Sequence, residues 1–185
     1  MKKLKNTKEP LYQSKLSKYN FMFIGAYAVY TIIFDAGNIL TREDVYHRWI
    51  FAVILTVAFS LFWVATKKAK TNNVLFGSLI LCIIAELILA GYMTYWERGM
   101  ASMSTVLFIF PIVSMALTGS RTYTVGTALL ASAIYTGACT KYFYDFFNEG
   151  YRVQLYGQLF FFSAVFVIIG YTVGKLAHAA YKKKA

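Results

Sequence analysis

Glu86 is the residue whose surroundings make unusual chemistry most accessible. It stands in GSLILCIIAELILAGY, with no other charged residue within ten positions on either side. A rise of 1.5 Å per residue puts it about 18 Å into an apolar layer about 30 Å thick. A bare carboxylate is costly at that depth. Two readings follow. Glu86 is either a neutral acid hydrogen-bonded to a tyrosine, a serine or a backbone carbonyl, or an anchor for a cationic ligand or a transferable proton. Asp35 is the second candidate. It follows Tyr27, Tyr30 and Thr31, about five residues before the end of an apolar run and so within about one and a half helical turns of water. It reads as a hydrated carboxylate paired with Arg42 or Arg48, or as one wall of an outward-facing ligand pocket with Tyr30, Asn38, Tyr92 and Tyr95.

The remaining reactive residue types form no constellation. His47 and His178 fall on opposite sides of the apolar layer. They cannot share a metal, which needs three or four ligands within reach. Cys82 and Cys139 fall at depths about 10 Å apart, beyond the Cα separation of about 7 Å that a disulfide tolerates, and read as small buried hydrophobes. There is no HExxH, GxSxG or CxxC, no phosphate-binding glycine loop, and no pair of acidic residues at helical spacing inside an apolar run. No metal, cofactor or catalytic residue is expected, and the chain does not read as an enzyme.

Helices solvated by lipid must position these residues. Of 185 residues, 58% are hydrophobic and 15% charged, against about 45–50% and 25% in a soluble domain. Six runs approach the roughly 20 residues that span a bilayer: 19–40, 49–66, 74–95, 101–118, 123–144 and 155–177. Pro111 predicts a kink in the fourth. The expected fold is an all-α, polytopic membrane protein, one bundle of six transmembrane helices over 19–177. A basic segment, 1–18, precedes the bundle and a basic tail, 178–185, follows it. The first run is too long for a cleaved signal and is expected to stay as a helix.

Lysine and arginine set the orientation. Lys2, Lys3, Lys5, Lys8, Lys15, Lys18, Lys67, Lys68, Lys70, Arg121, Lys175, Lys182, Lys183 and Lys184 fall on one side, and Arg42, Arg48, Arg98, Lys141 and Arg152 on the other. The richer side is expected to be cytoplasmic, with both termini there, in a multi-pass protein of the cell membrane. The net charge of +11 lies in these flanks and not on one continuous face, so it is read as meeting anionic lipid head groups and not nucleic acid. Gly170 and Gly174 make a GxxxG on the sixth run. Such a pair serves packing inside the bundle or the seam of a homodimer.

The stretch 108–135, FIFPIVSMALTGSRTYTVGTALLASAIY, resembles the cytoplasmic hairpin of membrane input domains in bacterial sensor histidine kinases and diguanylate cyclases. Those domains have five to eight spans, tiny loops and a cytoplasmic N-terminus. The resemblance implies the sensory input module of a two-component kinase, with a cytoplasmic kinase module as partner. No dimerisation helix with a phospho-acceptor histidine, no ATP-binding lobe and no GGDEF motif stands in this chain. The alternative is the substrate-binding membrane subunit of an energy-coupling-factor transporter. Those subunits are also six-helix proteins of this size, but they carry a comparable hairpin between their second and third helices. Here it joins the fourth and fifth runs.

Overall fold

A computed structural model describes residues 9–37, 41–68, 72–147 and 153–182, and among these there is no strand. The helices are α1 (Glu9–Ala36), α2 (Arg42–Lys68), α3 (Asn72–Trp96), α4 (Ile109–Ala116), α5 (Arg121–Phe147) and α6 (Val153–Lys182). Two 3₁₀ turns, Gly99–Ala101 and Met103–Phe108, lead into α4. Local chemistry explains several boundaries. Pro10 lies in the first turn of α1, where its missing N–H costs nothing. The Thr41 hydroxyl accepts the Asp44 N–H at 3.2 Å and donates to Asp44 Oδ2 at 2.7 Å, capping α2. Ser120 Oγ accepts the Tyr123 N–H at 3.4 Å at the start of α5.

The fourth run departs from the expected kinked helix. Pro111 is the third residue of α4, just past the point where 3₁₀ winding passes into α-helix. Met103–Phe108 winds as 3₁₀ ahead of it. From Met103 to Ala116 the segment rises about 24 Å, at about 2.0 Å per 3₁₀ residue and 1.5 Å per α residue.

Contacts fix the direction of each helix against its neighbours. Tyr27 meets Phe51 at 5.0 Å and Tyr30 lies 4.8 Å from the Arg48 guanidinium, so α1 and α2 run antiparallel. α3 and α5 run parallel, with Phe76 against Tyr123 at one end and Tyr95 against Tyr142 at the other. α5 and α6 run antiparallel. Tyr135 faces Phe162, Ala128 faces Gly170, and Thr124 faces Gly174. α4 runs alongside α6 in the same direction, from Phe108 at Phe166 to Ile112 at Gly170.

Two apolar cores result, and α3 contributes to both. Tyr27, Phe51, Leu55, Phe59, Phe62, Cys82 and Met93 join α1, α2 and α3. Ile83, Leu87, Phe108, Ile112, Ala128, Ala131, Tyr135 and Phe166 join α3, α5, α6 and the segment around α4. Much of what remains exposed is apolar, including Val53, Val57 and Leu61 on α2, Leu81 and Ile88 on α3, and Phe160, Phe161 and Ile168 on α6. A surface of that kind suits lipid and not water.

Among the described residues three helices, not six, are long and apolar enough to cross a membrane: Arg42–Lys67, Phe76–Trp96 and Gln154–Lys182. The described apolar part of α1, Asn20–Ala36, is shorter, as is Met103–Ala116. α5 is long, but glycine, threonine, serine and tyrosine dilute its apolar content.

The GxxxG pair faces α5. A Cβ on Gly170 would sit 2.5 Å from Ala128 Cβ, and one on Gly174 3.2 Å from Thr124 Cβ. Both glycines are buried within the chain. The close approach they permit is used between α5 and α6, and that face is not open to a second copy.

Candidate functional site

At the end of the bundle where α2 begins and α3 finishes, a charge pair is buried. Arg48 Nη2 lies 2.5 Å from Glu97 Oε1, and the two side chains are 2% and 7% exposed. The turn after α3 makes this pairing. Arg98 and Gly99 both take left-handed backbone conformations, φ 71° and 62°, and fold the chain back over the end of α3. For arginine that conformation costs about 1–2 kcal/mol. A Cβ at Gly99 would also press on the Tyr142 ring at 3.0 Å. The reversal brings Ser102 and Ser104 to the Glu97 carboxylate. Oε2 accepts from Ser102 Oγ at 2.9 Å, Ser104 Oγ at 2.7 Å and the Ser104 N–H at 3.2 Å.

Arg48 is held differently. Its guanidinium lies 4.8 Å from the Tyr30 ring centroid and 5.9 Å from that of Phe34, so two aromatic faces cover it. Among the described residues its Nε and Nη1 are buried without a hydrogen-bond partner, as is the Tyr27 hydroxyl. The cluster thus joins α1, α2, α3 and the 3₁₀ segment, is electrically neutral as a pair, and has donor capacity that its own side chains leave unused. Such an arrangement can change state by separating the charges or by admitting a polar molecule.

Around it lie more polar and aromatic groups. The Tyr92 hydroxyl is 2.8 Å from His47 Nδ1, and the His47 ring stacks on Trp96 at 3.9 Å. The Tyr95 hydroxyl donates to Asp145 Oδ2 at 2.8 Å, and Lys141 Nζ donates to the same oxygen at 2.9 Å. Lys141 first, then Tyr95, hold the Asp145 carboxyl below its ordinary range.

The residues singled out from sequence are therefore divided. Tyr30 belongs to the Arg48 cluster. Tyr92 and Tyr95 lie at the same end but engage His47 and Asp145. Asp35 is exposed and, among the described residues, forms no ion pair. The expected partner Arg48 is taken by Glu97, because the α3 turn delivers a buried carboxylate to it. Asn38 lies outside the described residues. Glu86 is 5% exposed in the middle of α3, where Oε1 accepts from Cys82 Sγ at 3.6 Å and, among the described residues, Oε2 has no hydrogen-bond partner. It stands 11 residues before Glu97, which follows the last residue of the same helix, about 16 Å along the axis, so the two carboxylates belong to separate places. Among the described residues no group of three His, Cys, Asp or Glu side chains could hold a metal.

From the sequence Arg48 reads as a flanking charge or a partner for Asp35, not as half of a buried pair with Glu97. One signal was present. They are opposite charges at the facing ends of two consecutive apolar runs, and antiparallel helices bring such ends together. The composition and the helices define this chain as an all-helical protein with membrane-crossing character. Compared with protein-family models, curated proteins and solved structures, it matches none.

Proposed function

We propose that the chain is the membrane-embedded sensory module of a two-component signalling system, working with a cytoplasmic kinase. In this reading all six helices lie across the cell membrane, both termini are cytoplasmic, and the Arg48 cluster is at the outer face. The alternating directions of successive helices support six passes. α5 packs along α6 from Gly174 to Phe162 and so shares its depth despite its polar residues. The basic flanks support the orientation.

One observation carries the sensory reading. A single short rod, Met103–Ala116, runs from the buried ion pair to the far end of the bundle. Its beginning is tied to Glu97 through Ser102 and Ser104. Beyond its end, Leu117 and Gly119 accept hydrogen bonds from the last turns of α6. A stimulus that separates or rearranges Arg48 and Glu97 would shift the rod and hence the cytoplasmic end of α6, a bias between two packings.

Photo-crosslinking from position 182 in membranes of the native host tests this. Adducts with a histidine kinase or a diguanylate cyclase are expected. Adducts with a pair of transport ATPases would instead favour a solute-binding transport subunit, and absence of both classes would remove the sensory reading.

A further inference from the structure

The last turns of α6 are fastened to the turn between α4 and α5. The Tyr181 hydroxyl donates to the Leu117 carbonyl at 3.2 Å. His178 Nδ1 lies 3.1 Å from the Gly119 carbonyl, which can only accept, so the imidazole donates. The Tyr181 ring lies flat against Gly119, where a Cβ would sit 2.6 Å from Cδ2. Gly119 is needed twice: its φ of 74° makes the turn, and its bare Cα admits the ring. A few residues away, the Arg121 guanidinium covers Tyr171 at 4.4 Å.

These contacts are unlike the rest of the α5–α6 seam. Deeper in the bundle the helices are held mainly by apolar burial and glycine packing, as at Gly170, with one part-buried hydrogen bond from Ser132 Oγ to the Ser163 carbonyl at 3.4 Å. Here His178 and Tyr181 are exposed, and two hydrogen bonds end on carbonyls that water can also satisfy. Exposed bonds of this type add little net stability, because water competes for both partners. They open with little cost, whereas the core below them does not.

We infer that the contact of His178 and Tyr181 with Leu117–Gly119 is a reversible clasp, which couples the α4–α5 turn to the C-terminal end of α6 and sets where that end points. Closed, it makes the end of α6 follow the turn. Open, the last two turns move apart from α5 while the bundle stays intact. The inference takes its purpose from the sensory reading, but its mechanics stand without it.

The test is a distance measurement by pulsed electron paramagnetic resonance on the full chain in lipid nanodiscs. Spin labels go on cysteines at Thr122 and Lys182, with Cys82 and Cys139 changed to alanine. A second label pair at Leu129 and Ile168 reports the bundle. The unaltered clasp should give one narrow Thr122–Lys182 distance. Tyr181→Ala should broaden it and shift it longer, with no change at Leu129–Ile168. Tyr181→Phe, which keeps the ring, should give a smaller shift. Gly119→Ala should act like Tyr181→Ala; if it also disturbs the bundle pair, Tyr181→Ala alone decides. An unchanged Thr122–Lys182 distance in Tyr181→Ala would overturn the inference, because helix stiffness alone would then be holding the tail. A clasp that opens in a chain that crosslinks to no kinase would leave the joint standing and remove the sensory reading. Crosslinking to a kinase with an immobile tail would do the reverse.

Discussion

Arg48 and Glu97 are 2% and 7% exposed, so removing either one strands a buried charge. The loss in such cases is about 3–5 kcal/mol, much of it the penalty on the partner left behind. Glu97→Gln keeps acceptor capacity for Ser102 and Ser104 but removes the charge. It should destabilise the chain by an amount in that range, and Arg48→Met likewise. The double variant should lose far less than the two losses combined. Thermal unfolding in detergent measures all three, and simple additivity would show that the pair does not act as a unit. Glu86 makes the opposite case. Among the described residues its hydrogen-bond partner is the weak donor Cys82 Sγ, one turn back on the same helix. A glutamine has nearly the same shape and also donates and accepts. Glu86→Gln should therefore cost under about 1 kcal/mol, the range of interhelical hydrogen bonds in membranes. A loss of several kcal/mol would show that the ionised carboxylate is required.

At the scale of helices, α5 and α6 make the tightest seam, and glycine decides it. Gly170 leaves no room for a methyl group beside Ala128, whereas a Cβ on Gly157, nearer the other end of the same helix, meets nothing within 4 Å. Gly170→Ala should destabilise by about 1–3 kcal/mol through overpacking. Gly157→Ala should be neutral or stabilise by up to about 1 kcal/mol, from helix propensity alone. Guanidinium or SDS titration of the two variants side by side gives the contrast; equal losses would mean that the seam is looser than the geometry states. The GxxxG spacing was visible in the sequence, but the partner it packs against was not. A glycine pair announces a close approach without saying to what, and here α5 offers Thr124 and Ala128 at the matching spacing.

For the whole molecule, the proposed six passes make a topological prediction. A reporter active only in the cytoplasm should work when fused after Lys184 or inserted in 67–73, and should be silent when inserted in 42–48 or 148–152. Activity at 42–48 would invert the orientation and put the Arg48 cluster on the cytoplasmic face. Among the described residues three helices have the length and apolarity to cross unaided. The other three would cross as parts of a bundle, α5 through its partner α6, α1 through Tyr27 and Phe23, and the 3₁₀–α4 segment through Phe108 and Ile112.

What the amino-acid sequence determined by itself was the helical, lipid-compatible character of the chain, the approximate places where helices start and stop, and the isolation of Glu86. Each follows from local composition: long apolar runs, caps such as Thr41, and a lone acid among aliphatic residues need no knowledge of distant parts. Only the tertiary structure decided that Arg48 belongs to Glu97 and not to Asp35, that Pro111 stands where 3₁₀ winding passes into α-helix, and that the tail of α6 closes on Gly119. Those outcomes depend on residues 49, 8 and 59 positions apart or on the path of the chain between them. A two-residue left-handed turn at Arg98–Gly99 swings Glu97, Ser102 and Ser104 together. Hydropathy does not register such a turn, since it counts how apolar a segment is and not which way its backbone reverses.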